Sequence, residues 1–364
     1  MDSIDTLIIG AGALGLACAA RLAGPDTLIV EAERLIGSHA SSRNSEVIHA
    51  GLYYPPGSLK AQLCLEGRAR LHAWCAQHGV ATRNIGKLLV AVTPDECTAL
   101  EALAANARAC GVDDLQALER AQLQRLEPAV RGVAALLSPG TGILDSHGYL
   151  QSLLAAAERR GAQLVLRTRI DALVHDGDAW LAEGSSAGEP FRLRAQRVVN
   201  AAGLFAQRLA ARTRGLAGIP ALHLCQGRYF GYRGRSPFAH LIYPMPEAQT
   251  AGLGIHATLD LGGQLRFGPD VRYLDSLDYR VDEGLRTPFA EAIRRYFPAL
   301  DAERLTPGYS GIRPKLAGAG EPAADFLIQG PADHQLPGLV NLFGMESPGL
   351  TASLAVAERV AQAL

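Results

Sequence analysis

Three glycines and one acid carry the sharpest chemical signal in this chain. Gly10-Ala11-Gly12-Ala13-Leu14-Gly15 follows the apolar, β-prone run Ile4–Ile9 and opens a helix-like stretch that reaches Leu22. Thr27-Leu28-Ile29-Val30 then reads as a second strand, closed by Glu31 and Ala32. Strand, glycine turn, helix, strand and acid is the order a dinucleotide-binding unit requires. Gly10 permits the tight turn, Gly12 leaves room for a pyrophosphate against the backbone, and Gly15 lets helix and strand pack closely. The helix N-terminus offers free N–H groups and a positive dipole end to phosphates. Glu31 stands twenty-one residues after Gly10, where a carboxylate can accept hydrogen bonds from ribose hydroxyls.

The elements that must hold this unit are spread along the chain. Arg34–Ser45 is polar and built of small side chains, and Val47–Tyr54 is strand-like. Ser58 is a helix N-cap for a helix to about His78. Lys87–Val92 reads as a strand, Thr93–Glu96 as a helix start, and Leu115–Glu127 as a further helix stopped by Pro128. Tyr149–Arg160 is helical, and Gln163–Leu166, Ile170–Val174, Ala179–Leu181 and Phe191–Leu193 are short strands. Arg197–Gly203 is an apolar strand ending in small residues, with a helix expected over about Phe205–Arg212. Pro288–Tyr296 is helical and Thr306–Ile312 strand-like. Leu339–Gly344 is a last strand, and Pro348-Gly349-Leu350-Thr351 starts a last helix whose N-terminus can point into the same crevice. A nucleotide domain revisited three times by the chain suggests a cofactor long enough to reach across it. FAD has that length, with its ADP half on Gly10–Glu31 and its flavin near the Pro348–Thr351 helix start.

Bulk properties narrow the partners. With 364 residues the chain can form two domains, and a net charge of −1 gives no footprint for nucleic acid or an anionic membrane. The six cysteines are scattered without a CxxC pair, which argues against zinc and disulfides, and no His/Asp/Glu cluster has metal-ligand spacing. No apolar run has the length of a membrane span. Strand one starts almost at Met1 without a leader pattern, so a cytoplasmic location is expected, with peripheral membrane contact left open.

The chain resembles the D-amino-acid-oxidase-like flavoproteins, and within them the L-2-hydroxyglutarate dehydrogenases and oxidases. Beyond the glycine turn, the resemblance rests on Asn44–Ala61, on Gly254–Thr258 with Phe267-Gly268-Pro269, and on Ser310-Gly311-Ile312-Arg313-Pro314 with Ser347–Thr351. It implies an α/β (α+β overall) architecture: a Rossmann-like FAD-binding domain and a discontinuous mixed β-sheet substrate domain. The first is expected over residues 1–80, 141–215 and 305–364, the second over 81–140 and 216–304. It implies FAD contacts from Ser42, Arg43, Asn44, Ala202, Gly203, Gly311 and Gly344. It also implies oxidation of a small 2-hydroxy acid. That chemistry turns the hydrogen on the carbinol carbon towards flavin N5, gives the hydroxyl proton to a base, and fixes the carboxylate with a cation. His49 and His256 are the candidate bases and Arg313 the candidate clamp; Tyr54 and Arg228 are candidates for the substrate pocket. Glu46 stands where glycine is expected, and Arg228 where an acid is. On residue type alone, His49 and His256 read more readily as packed core histidines than as bases, the remaining histidines as surface or structural, and Lys60 and Lys87 as solvated. Amine or amino-acid oxidation on the same fold remains an alternative, as does a flavin-binding module without turnover. The electron acceptor (oxygen, a quinone or a carrier protein) stays open.

Overall fold

The computed structural model describes residues 3–245 and 254–364. Two large sheets dominate it. The centre of the first is the strand Ser3–Ile9, paired in parallel with Thr27–Val30 on one side and with the end of Glu189–Asn200 on the other. Gln163–Val165 and Leu339–Phe343 extend it on either side, both in parallel, and Leu327–Gln329 pairs antiparallel beyond the latter. The alternation of a strand's side chains decides what covers each face. Ile8 packs with Leu16, Tyr149, Leu153 and Val356, from the helices Ala13–Leu22, Ser146–Arg159 and Gly349–Ala363. Its neighbours Leu7 and Ile9 pack with Trp180 and Leu193 on the opposite face. Those come from an antiparallel meander of Thr168–His175, Trp180–Ser186 and the first part of Glu189–Asn200.

The second sheet has nine strands and is antiparallel except where Lys87–Ala91 runs parallel to Leu241–Pro244. The helices Glu96–Ala109 and Arg286–Arg294 pack on it through Leu100, Ala104, Phe289 and Ile293. Its longest pairing joins His223–Tyr232 to Leu305–Lys315. The 305–315 stretch, grouped by the sequence with the nucleotide unit, therefore runs in the second sheet. A small sheet of Val47–Ile48, Gly142–Leu144 and Thr82–Arg83 lies apart from both.

Three sequence expectations need correction. Leu115–Glu127 is not one helix: Gln116–Glu119 forms an edge strand on Ala134–Ser138, and only Arg120–Leu126 is helical. The backbone ladder of the sheet outweighs the strong helix preference of Gln116-Ala117-Leu118-Glu119. Phe191–Leu193 and Arg197–Asn200 are parts of one strand, Glu189–Asn200, which changes partner along its length. The helix after Gly203 is short, Ala206–Ala210, behind a single 3-10 turn. Elsewhere boundaries agree closely; Ser58 caps Leu59–His78 by accepting from the Ala61 amide at 3.2 Å, and Gly79 closes that helix at φ 68°.

Candidate functional site: a nucleotide cavity and an adjoining histidine cluster

The glycine turn closes on itself. A Cβ on Gly15 would lie 1.8 Å from the Gly10 carbonyl oxygen, and one on Gly10, at φ +102°, would lie 2.5 Å from the Ala201 oxygen. Only glycine allows these approaches. The result is a cavity of about 550 Å³ lined by Gly10, Gly12, Ala13, Leu14, Glu31, Ala32, Ala202 and Gly203. The Glu31 carboxylate sits at its edge, accepting from the amides of Ala11 (2.8 Å) and Glu33 (2.9 Å). The first-turn amides of the helix have no intrahelical acceptor, and Ala13 N donates to Ser41 Oγ at 3.0 Å. A Cβ on Gly12 would press on that same hydroxyl at 2.9 Å, so the floor of the cavity is open only because Gly12 lacks one. This cradle fits a pyrophosphate with its ribose at Glu31.

Other walls were not legible in the motif. Arg167, Thr168, Asp171 and Ser185 reach the cavity from the antiparallel meander, and Pro314 from the second sheet. His39, expected to be surface or structural, also lines it. Its ring lies 2.7 Å from the Tyr279 hydroxyl through Nδ1 and 3.2 Å from Glu33 through Nε2.

The loop after the second strand joins the two sheets. The Arg43 guanidinium stacks 4.3 Å from the Tyr279 ring centre and donates to the Ser310 carbonyl at 3.4 Å. A Cβ on Gly311 would lie 2.0 Å from the Arg43 oxygen, so the strand 305–315 lies directly on this loop. Ser42 bonds the Gly37 carbonyl, and Asn44 holds the Ser41 carbonyl at 2.7 Å. The start of the terminal helix completes the frame. Gly349 abuts Leu14. Thr351 Oγ1 accepts from the His49 amide at 3.1 Å. Gly344 supplies the left-handed turn before it at φ 69°, while Pro348 caps the helix and Leu350 follows on its first turn.

Beyond that helix start lies a cluster of titratable side chains. His49 Nε2 is 3.2 Å from Ser347 Oγ, and Ser347 also bonds the Tyr54 side chain. The His49 ring keeps some accessible area, yet dense packing around it and the nearby Lys87 push its pKa down to about 3. The imidazole is therefore neutral at physiological pH. His256 is buried and stacks on Tyr243, with centroids 3.6 Å apart and planes at 15°. Arg313 lies across from Cys225 on the paired strand, its Nη1 3.9 Å from the thiol sulfur. Among the described residues no carboxylate pairs with it. Tyr229 feels the charge of Arg313 and the phenol of Tyr243, which links the clamp side to the histidine side.

The two departures from the family pattern are accounted for by local bonding. Arg228 is held by Asp270, whose carboxylate accepts from its backbone amide and its Nε, both at 2.8 Å. Its positive charge is thus already balanced, and it is not a free cation in the pocket. Glu46 has φ 58°, the left-handed region glycine favours, and its carboxylate turns to Ser146 Oγ at 2.8 Å and to Arg266 at 3.6 Å.

The lysines reverse expectation. Lys60 is 6 % exposed and bonds Glu346 at 2.9 Å and the Ala324 carbonyl at 2.8 Å. Lys87 is 0 % exposed, and its Nζ lacks a hydrogen-bond partner. Its place at the head of the apolar run Lys87-Leu88-Leu89-Val90 was the available signal, since that run is a buried central strand.

A family profile described as FAD dependent oxidoreductase matches residues 5–363. An Arabidopsis thaliana protein named L-2-hydroxyglutarate dehydrogenase, mitochondrial, is 41% identical over 99% of this chain and 83% of its own length. An Escherichia coli (strain K12) L-2-hydroxyglutarate dehydrogenase is 27% identical over 98% of this chain and 92% of its own. Among solved structures, a dithionite-reduced L-α-glycerophosphate oxidase from Mycoplasma pneumoniae with FAD bound superposes with a TM-score of 0.89. It is 24% identical and covers 100% of this chain and 95% of its own. No helix among the described residues is long and apolar enough to cross a membrane.

Proposed function

This chain belongs to the FAD-dependent oxidoreductases, and from that premise we propose that it oxidises a 2-hydroxy acid, L-2-hydroxyglutarate, to the 2-oxo acid. Gly10, Gly12, the first-turn amides from Ala13 and Glu31 would hold the ADP half of FAD, and the loop of Arg43 with the Pro348–Thr351 helix start would flank its flavin. FAD supplies, when bound, the acceptor for the electron pair and hydrogen that leave the carbinol carbon.

The protein's own residues do the rest. Arg313 binds the carboxylate beside the carbinol and so fixes the reacting carbon; a guanidinium does this with two parallel hydrogen bonds. His49 takes the hydroxyl proton on its imidazole. His256 is braced on Tyr243. The observation that carries the reading is the placement of His49, whose Nε2 lies 3.2 Å from Ser347 Oγ and whose amide is held by Thr351 of the terminal helix. An alcohol needs such a base, whereas an amine can release its own proton to solvent.

The test is anaerobic reduction of the purified yellow protein. L-2-hydroxyglutarate should bleach the flavin, and His49→Ala should slow that step by roughly 10²–10⁴-fold with flavin content unchanged. Near-full rates in both His49→Ala and His256→Ala, or bleaching by D-amino acids and not by hydroxy acids, would sink the proposal.

A further inference from the structure

Lys87 presents an unsolved charge. Its Nζ is enclosed at the head of a central strand, 4.5 Å from the Tyr243 ring centre and 5.0 Å from that of Tyr53. Two ring faces attract an ammonium but accept no strong hydrogen bond from it. No described carboxylate, carbonyl or hydroxyl takes its protons. Lys60, the other deeply buried lysine, is fully engaged with Glu346 and Ala324. An unpaired buried ammonium is costly to fold, and a core methionine of similar length would avoid that cost.

Its position gives the charge a use. The Tyr243 ring that faces Lys87 carries His256 stacked on it. His49 lies within range of its field. Lys87 therefore borders the histidine cluster, while Arg313 approaches through Cys225 and Tyr229 from another strand. Lys87 and Arg313 are two cations without carboxylate partners among the described residues, and a monocarboxylate substrate satisfies only one.

We propose that Lys87 receives the second carboxylate of a dicarboxylic 2-hydroxy acid, so that this residue selects two-carboxylate substrates over one-carboxylate ones. The assignment rests on the reading of the site given above. Arg313 holds the carboxylate next to the carbinol and Lys87 the distal one; Tyr53 and Tyr243 form the walls around the intervening methylenes. Burial also lowers the Lys87 pKa, to about 7, and a bound carboxylate would draw it back into the charged form.

Two measurements on the FAD-loaded enzyme test this. The first uses the unaltered protein and follows the flavin spectrum while glutarate or butyrate is added. Glutarate should bind on the order of 10- to 100-fold more tightly, the range of one charge-assisted contact. Equal binding overturns the assignment without any variant. The second compares kcat/KM for L-2-hydroxyglutarate and L-2-hydroxyvalerate, which has the same carbon chain without the distal carboxylate. Lys87→Met should lose on the order of 10- to 100-fold on the diacid, mostly through KM, and little on the monoacid; Lys87→Arg should keep part of the preference. Equal losses on both acids, or no loss on either, overturn it. If the unaltered yellow enzyme oxidises neither acid, the hydroxy-acid reading fails; if it oxidises both equally, the Lys87 assignment alone fails.

Discussion

Lys60 and Lys87 are one residue type in two opposite settings. Lys60 is compensated by Glu346, which Lys315 also approaches at 3.2 Å. Lys87 is not compensated, and its titration must appear in the stability of the protein. Burial lowers its pKa from 10.5 to about 7. Between those values the unfolded chain keeps a proton that the folded protein has released. The unfolded state thus binds more protons, and stability rises with pH across this window. Below about pH 7 both states are charged and the full penalty of burial remains. Urea unfolding should show the unaltered protein gaining on Lys87→Met by up to about 1.4 kcal/mol per pH unit between pH 7 and 10. A difference that does not change with pH would mean that Lys87 has an ordinary pKa in the folded state.

At the scale of elements, the site depends on how closely two helices approach. A Cβ on Gly67, in the helix Leu59–His78, would lie 2.4 Å from the Thr351 carbonyl oxygen in the terminal helix. Thr351 in turn holds the His49 amide. Gly67→Ala should push the helices apart at a cost of about 1–3 kcal/mol. It should also slow flavin reduction by hydroxy acid, because the movement reaches the Thr351 hydroxyl that holds the His49 amide. Unchanged turnover in a destabilised protein would separate the helix contact from the site. Contacts of this kind explain what the sequence could and could not reveal. The nucleotide unit was legible because each part of it is local: turn, helix start and acid lie within one short segment. The edge strand Gln116–Glu119 was not, since its partner Ala134–Ser138 lies beyond the next helix and its own residues favour a helix. The fates of Lys87 and Arg228 were hidden for the same reason. One is buried by a parallel partner, Leu241–Pro244, and the other is neutralised by Asp270, both distant in sequence.

At the scale of the whole molecule, the cavity beside the glycine turn is walled by that turn, the antiparallel meander and the second-sheet residue Pro314. A ligand that bridges these parts stabilises the folded state by mass action. FAD at about a hundred times its dissociation constant should raise the unfolding free energy by about 2.7 kcal/mol, with a thermal midpoint that climbs as FAD is added. A midpoint indifferent to FAD would show that the folded protein binds it no better than the unfolded chain. The topology has a further consequence for how the protein is made. Ser3–Ile9 meets Thr27–Val30 early, but its other neighbour, Glu189–Asn200, lies far along the chain, and that strand in turn waits for Leu339–Phe343. At ribosomal speed the nascent chain carries a half-paired first strand for about 10–40 s. The hydroxyl of Thr351, which fixes His49, arrives last of all. During synthesis the glycine turn can form long before the Thr351 hydroxyl is made, so the hold on the His49 amide closes only as the helix Gly349–Ala363 docks.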